Sequence, residues 1–210
     1  MSQFVDLHMH TNCSDGLFSP ADILDKVRSA NLAAFAITDH DTLDGYKTVE
    51  ELLTETDPKL ISGVELSSTY RESELHILAY GIEANYIHLQ NALQKFQDSR
   101  ERRGRKMVEK LNQLGVKISY EDVQHKAGVG VIGRPHVAEA IFDSGAVNRY
   151  NEAFEKYIGL GRPAYVAKTT FAPDEALKLI HDAGGAAVLA HPGVGGAHQH
   201  IEMLVGMGLD

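Results

Sequence analysis

The stretch "FVDLHMHTNCSDG", residues 4–16, decides how the rest of the chain is read. Val5, Leu7 and Met9 alternate with Asp6, His8 and His10. That period of two marks a β-strand and sends both imidazoles to one face. Asp15 follows in a polar loop. Two imidazoles and a nearby carboxylate are donor types that hold a divalent cation. Taken alone, the stretch fits an exposed strand end with incidental histidines equally well, so the other strand ends must decide.

Further short apolar runs end in, or carry, residues that can bind metal. "AAFAITDHD" (33–41) ends in Asp39, His40 and Asp41; "KLISGVELS" (59–67) carries Glu65. "ELHILAYGI" (74–82) has His76 near its start, and "GAAVLAHPG" (185–193) ends in His191. Helical segments alternate with these runs. "SPADILDKVRSANL" (19–32) opens with a Ser cap and a Pro, and "APDEALKLIHDAGG" (172–185) opens with Pro and acids and stops at Gly-Gly. Strand, helix and strand repeated in this way predict parallel βα units, whose functional residues gather at the C-terminal ends of the strands. His8, His10, His40, Glu65 and His191 obey that rule; His76 obeys it less well, because apolar residues continue after it. A lone His after a strand is usually a loop residue, but coincidence at so many strand ends is improbable, and the joint pattern predicts a metal centre. His8, His10, Asp15, His40, Glu65, His76 and His191 are more donors than one tetrahedral zinc uses. They suit two or three ions bridged by Glu65.

The bulk composition restricts the setting. The chain has 210 residues, 43% of them apolar, enough for one sizeable core or a core plus an insertion. No apolar run approaches the roughly 20 residues of a membrane span, and no basic-then-apolar leader opens the sequence, so no membrane attachment is expected. The single cysteine, Cys13, forms no internal disulfide and fits a cytoplasmic location. A net charge of −9 argues against a stable complex with nucleic acid over the whole surface, though bound cations would reverse the field locally. Eleven histidines make their placement informative.

Together "DLHMHTNCSDG", "AITDHDT", "GVELS", "LHILAYGI" and "VLAHPG" resemble, in order and over nearly the whole chain, the motifs of the PHP (polymerase and histidinol phosphatase) superfamily of metal-dependent phosphoesterases. The segment 83–170 resembles the inserted domain of a subfamily of 3′,5′-nucleoside bisphosphate phosphatases and 5′→3′ exoribonucleases. The resemblance implies an α/β fold, a distorted (β/α)7 barrel with a small, mostly helical insertion: barrel from 1 to 84, insertion from 85 to 168, barrel again from 169 to 210. It implies a trinuclear site, commonly manganese and sometimes zinc or iron. His8, His10 and Glu65 would share the first ion, Glu65, His76 and His191 the second, and Asp15 and His40 would hold the third. The family's late G-x-D-x-H motif is absent, and "IEMLVGMGLD" reads as a helix, a Gly stop and the start of another connection. The chain is therefore expected to be truncated relative to the family or to be a fragment, with the first and third ions weakened most.

Paired ions neutralise phosphoryl oxygens and turn a bound water into hydroxide near neutral pH, the chemistry that phosphate ester hydrolysis needs. Asp39 and Asp41 flank His40; they either orient it from behind or form a polar turn and helix cap. In the insertion, Arg100 and Arg103 share a helix face within "SRERRGRK" (99–106), and Pro135 places Arg134 and His136 at a helix N-terminus within "GVIGRPHVAEAIF" (130–142). All four are candidate contacts for a phosphate that is not being cleaved, against the plainer readings of a solvated face and simple capping. His181, His198 and His200 receive no role. The expected substrate is a 3′,5′-bisphosphate nucleotide such as 3′-phosphoadenosine 5′-phosphate, or short 5′-phosphorylated RNA. The rivals are another small monoester such as histidinol phosphate, an amidohydrolase, and a non-catalytic metal-binding domain.

Overall fold

Val5–Met9 form the first strand, β1, of the computed structural model, which describes residues 4–71, 73–128 and 130–210. β1 pairs in parallel with β2 (Ala34–Ile37), and β2 in parallel with β3 (Lys59–Ile61). Between β1 and β2 lies α1 (Pro20–Ser29). Ser19 Oγ accepts from the Asp22 amide and the Asp22 carboxylate accepts from the Ser19 amide, both at 3.1 Å, so the helix begins where Ser-Pro predicts. Ile23, Leu24 and Val27 of α1 join Phe35 and Ile37 of β2 in one apolar core, and Tyr46 and Val49 of α2 (Asp44–Leu52) enter the same cluster. Three-residue and four-residue spacing thus faces the sheet, as an amphipathic helix requires.

The parallel repeat stops after β3. Ser62 separates β3 from β4 (Gly63–Tyr70), and β4 turns straight back as the antiparallel β5 (Ser73–Tyr80), paired down to Tyr70 and Ser73. β6 (Ala186–Leu189) pairs antiparallel with β5. The expectation of strand–helix–strand units throughout is corrected here, because a pairing that runs to the turn leaves no room for a helix between β4 and β5. The reversal explains His76. The start of an antiparallel strand lies level with the end of its neighbour, and His76 sits opposite Ser67, two residues beyond Glu65. The two sheets meet through a parallel bridge between His40 and Glu65, in which the Glu65 amide donates to the Asp39 carbonyl (3.2 Å) and the Asp41 amide to the Glu65 carbonyl (3.1 Å).

The chain divides into two units, Met1–Gln94 with Thr170–Asp210, and Lys95–Thr169. The first break falls after Gln94 and not near 85, because Leu89 and Leu93, in the first turns of α3 (Ile87–Gln113), are buried in the core of the first unit. The second unit holds the rest of α3, α4 (Tyr120–Ala127), α5 (Arg134–Asp143) and α6 (Tyr150–Ala153), which runs on into a π-helical turn, Phe154–Ile158. Its own core gathers Met107, Leu111, Val123, Val137, Ile141 and Ile158. The chain re-enters the first unit and forms α7 (Pro173–Asp182), β6, a short 3₁₀ turn at Ala197–His200 and α8 (Ile201–Met207), which closes on Gly208 at φ +107°. No helix among the described residues is long and apolar enough to cross a membrane.

Candidate metal centre

Glu65 is the centre of the arrangement. Its side chain is 0% exposed, and each of its oxygens faces a pair of imidazoles. Oε2 lies 2.9 Å from His8 Nε2 and 3.0 Å from His10 Nε2. Oε1 lies 2.9 Å from His76 Nδ1 and 3.0 Å from His191 Nε2. His40 Nδ1 approaches Oε2 at 3.7 Å. Asp15 lies across from Glu65, 3.4 Å from His10 Nδ1 and 3.5 Å from His40 Nε2. The structure therefore brings together every metal ligand expected from the sequence. The donors come from β1 and the loop after it, the end of β2, β4, β5 and the loop after β6.

The spacing fits divalent cations better than hydrogen bonds. His8 Nε2 and His10 Nε2 are 3.1 Å apart while both face Oε2, and His76 Nδ1 and His191 Nε2 are 3.3 Å apart while both face Oε1. If each nitrogen carried a proton to donate, the protons of a pair would crowd one another. A cation between them accepts every lone pair at once, and metal–nitrogen bonds of roughly 2.0–2.1 Å at a common ion give such separations. His40 Nδ1 is buried without a hydrogen-bond partner, the kind of orphan that an ion would satisfy. Three overlapping groups could each hold an ion, their ligand atoms within 4.8 Å of one another: His8, His10 and Glu65; His10, Asp15 and His40; His40, Glu65 and His76.

Burial and neighbouring charge shift the titration of the cluster in opposite directions. Burial would raise the Glu65 carboxyl, but hydrogen bonds from His10, His76 and His8 hold it well below the usual carboxylate range. Burial drives His40 down to about 4 against the pull of Glu65 and Asp15, so its imidazole is neutral at pH 7. Burial also works against protonation of His10, yet the hydrogen bond and charge of Glu65, with the charge of Asp15, outweigh it and leave His10 raised.

From the sequence, Asp39 and Asp41 are open to two readings, orienting His40 or forming a polar turn and helix cap, and the bonds they make are of another kind. Asp39 is 1% exposed; its Oδ1 accepts from the Thr11 amide (2.7 Å) and Ser14 Oγ (2.6 Å), and its Oδ2 from Thr11 Oγ1 (2.6 Å). Asp41, at φ +54°, accepts from the Ser67 amide (2.8 Å) and hydroxyl (2.7 Å). Neither carboxylate partners His40 Nδ1. Asp39 fixes the loop that carries His10 and Asp15, and Asp41 fixes β4 just past Glu65. Local sequence hid these roles, since the partners lie 28, 25 and 26 residues away. Thr11, Ser14 and Ser67 were therefore missed; their hydroxyls are the only signal, and loops are commonly rich in hydroxyls. Gly45 permits the close approach: a Cβ there would lie 2.0 Å from Asp39 Oδ2 and 2.7 Å from Thr11 Oγ1.

The candidate phosphate contacts all belong to the second unit. Arg134 and His136 stand in the first turn of α5, as Pro135 predicts, and His136 Nδ1 accepts from the Gly133 amide at 3.1 Å, which is a capping bond. Arg103 is 6% exposed, and its Nε donates to the Val166 carbonyl at 2.8 Å, so it is no part of a solvated face. Arg100 lies one turn before it on α3. His181 pairs with Asp210 at 2.9 Å, and His200 with Ser73 Oγ at 3.0 Å, away from the Glu65 ring.

Comparison with known proteins agrees with this geometry. The PHP domain model matches residues 6–162. A 5′-3′ exoribonuclease, Rnm, of Salmonella typhimurium is 32% identical over 190 residues, covering 90% of this chain and 65% of that protein's length. A 3′,5′-nucleoside bisphosphate phosphatase of Chromobacterium violaceum is 31% identical over 90% of this chain and 67% of its own. Among solved structures, an amidohydrolase of Chromobacterium violaceum with bound sulfate superposes with a TM-score of 0.86 at 29% identity, over 98% of this chain and 75% of that one. A protein of Bifidobacterium adolescentis, provisionally assigned as a metal-dependent phosphoesterase, gives 0.87 at 27% identity, over 100% and 76%. With three quarters of its length matched by the family model and its metal-binding residues gathered on one buried carboxylate, the chain belongs to the PHP domain family.

Proposed function

We propose that this chain is a metal-dependent phosphoesterase acting on nucleotide phosphates, either 3′,5′-bisphosphates or short 5′-phosphorylated RNA. The observation that carries the reading is the buried Glu65 carboxylate facing His8 and His10 with one oxygen and His76 and His191 with the other. Two or three divalent ions, Mn²⁺ before Zn²⁺ or iron, would be held by His8, His10 and Glu65, by Glu65, His76 and His191, and by Asp15 with His40. Such ions, when bound, neutralise phosphoryl oxygens and lower the pKa of water. The chain's own part is to keep Glu65 ionised and His40 neutral, and to hold the Asp15 loop still through Asp39. The proposed fold is a distorted (β/α)7 barrel, of which β1–β6 are described, interrupted by the helical insertion. Arg100, Arg103, Arg134 and His136 are proposed as contacts for a second phosphate, with Arg134 the strongest because it opens α5. A cytoplasmic setting suits both the nucleotide substrate and the free thiol of Cys13.

The relatives' names support the substrate class, and the likeness to a structure named as an amidohydrolase supports amide hydrolysis as a second reading. Phosphate release from 3′-phosphoadenosine 5′-phosphate with added Mn²⁺ separates them, with His10→Ala as the control. Turnover that is lost in the control supports the phosphoesterase; turnover of amides alone would replace it.

A further inference from the structure

Leu17 is 91% exposed and Phe18 next to it is 44% exposed, on the same short loop that carries Asp15. Single exposed leucines are ordinary on protein surfaces, but this one projects from backbone that hydrogen bonds hold in place. The Gly16 and Ser14 amides donate to the Thr11 carbonyl at 2.9 and 3.1 Å, and the Asn12 amide donates to the Phe18 carbonyl at 2.8 Å. Asp39 ties Thr11 and Ser14 into the core. Gly16 has no space for a side chain: a Cβ there would lie 2.3 Å from the His10 carbonyl oxygen. The loop therefore holds Leu17 in a set place relative to Asp15, at most about 7 Å away along the chain. Asp15 is the most exposed carboxylate of the cluster, at 42%, so the loop stands at its open rim. Lys26 Nζ sits 4.0 Å from the centre of the Phe18 ring and steadies it from the α1 side.

We propose that Leu17, with Phe18 beside it, is the specificity-determining contact for the nucleobase of the substrate. This rests on the nucleotide reading given above. A phosphate held at the cluster leaves its ribose and base to extend over the rim, and the base is the apolar, flat part of such a substrate. An apolar side chain on a rigid backbone makes that contact with little ordering cost, and covering a leucine side chain that water otherwise surrounds is worth about tenfold in binding.

The test is calorimetric titration of the Mn²⁺-loaded chain with adenosine 5′-monophosphate and with ribose 5-phosphate, which lacks the base. The wild type is expected to bind the nucleotide about tenfold more tightly than the sugar phosphate. Leu17→Ser should abolish that difference by weakening only the nucleotide, and Leu17→Met should restore it. Since Leu17 is almost wholly exposed, neither variant should alter thermal stability or metal content. Loss of affinity for both ligands equally, or for neither, in Leu17→Ser would overturn the inference. A wild type that binds ribose 5-phosphate as tightly as the nucleotide would overturn it too, while leaving the phosphoesterase reading intact. A wild type that binds neither ligand would sink the nucleotide reading itself and this inference with it.

Discussion

The two units use their charges in opposite ways. In the second unit several cations have a local partner among the described residues. Arg105 pairs with Glu101 at 2.8 Å and lies over the Tyr120 ring, Lys156 pairs with Glu152 at 2.7 Å, Lys126 pairs with Asp143, and Lys110 donates to the Tyr165 carbonyl at 2.8 Å. In the first unit His8, His10, His40, His76 and His191 converge on one carboxylate, with the nitrogens of each facing pair too close for both to carry a proton and a buried nitrogen left over. The first pattern is what a helical domain does to settle its surface and its loops. The second has a cost in the absence of a ligand, because one buried carboxylate cannot satisfy five imidazoles and His40 Nδ1 is left without a partner. Density of charged side chains is thus a poor guide to a site. Convergence with unsatisfied valence is a better one.

The contrast breaks first at Glu65. Glu65→Gln keeps the shape but removes the charge that faces both imidazole pairs, so turnover and metal content should fall together, by about a hundredfold or more. Retained turnover would mean that the carboxylate does not bridge.

Asp39→Ala comes next. It leaves the Thr11 amide and the Ser14 hydroxyl unpaired in a buried place, which costs about 1–3 kcal/mol for each group left unsatisfied. Thermal unfolding should report the loss, and Mn²⁺ affinity should drop by about tenfold to a hundredfold as the Asp15 loop loosens. Unchanged Mn²⁺ affinity would show that the clasp is structural alone.

Arg103→Met tests the other side of the comparison. It keeps the buried stem and removes the bond to the Val166 carbonyl, so stability should fall by about 1–3 kcal/mol. If KM for the bisphosphate rises more than KM for a monophosphate, Arg103 also contacts the second phosphate; if neither moves, its role lies within the second unit.

The smallest effect is on pH. A ligand imidazole must be neutral, and His10 is raised, so it holds its proton to a higher pH than an ordinary histidine. The cation has to displace that proton, and Mn²⁺ affinity should fall as pH drops toward and below the ordinary histidine range. His40, already pushed down to about 4, should add nothing to the slope near neutrality. Proton release measured by calorimetry in two buffers checks this; affinity that does not change with pH would remove His10 from the ligand set.

Much of the site was legible because the strand ends announce themselves. The alternation Val5–His10 puts His8 and His10 on one face, and His40 and His191 lie within three residues of the ends of β2 and β6. His76 was legible as a candidate but broke the strand-end rule, since its strand runs the other way and carries the residue at its start. Asp39 was seen but its role was not, because its partners, Thr11 and Ser14, come from a distant strand end and only the fold brings them near. Arg103 reads as one of a solvated run of cations, and its burial depends on the segment around Val166, which carries no local signal for it. Residue type and period reveal donors; they do not reveal which donors are already taken.

The most direct test is the anomalous scattering of a crystal of this chain grown with Mn²⁺. Two or three peaks are expected inside the ring of His8, His10, Asp15, His40, Glu65, His76 and His191, with the two Glu65 oxygens bound to different ions. A single peak with both Glu65 oxygens on one ion, or peaks elsewhere on the surface, would contradict the bridging carboxylate on which the functional reading stands.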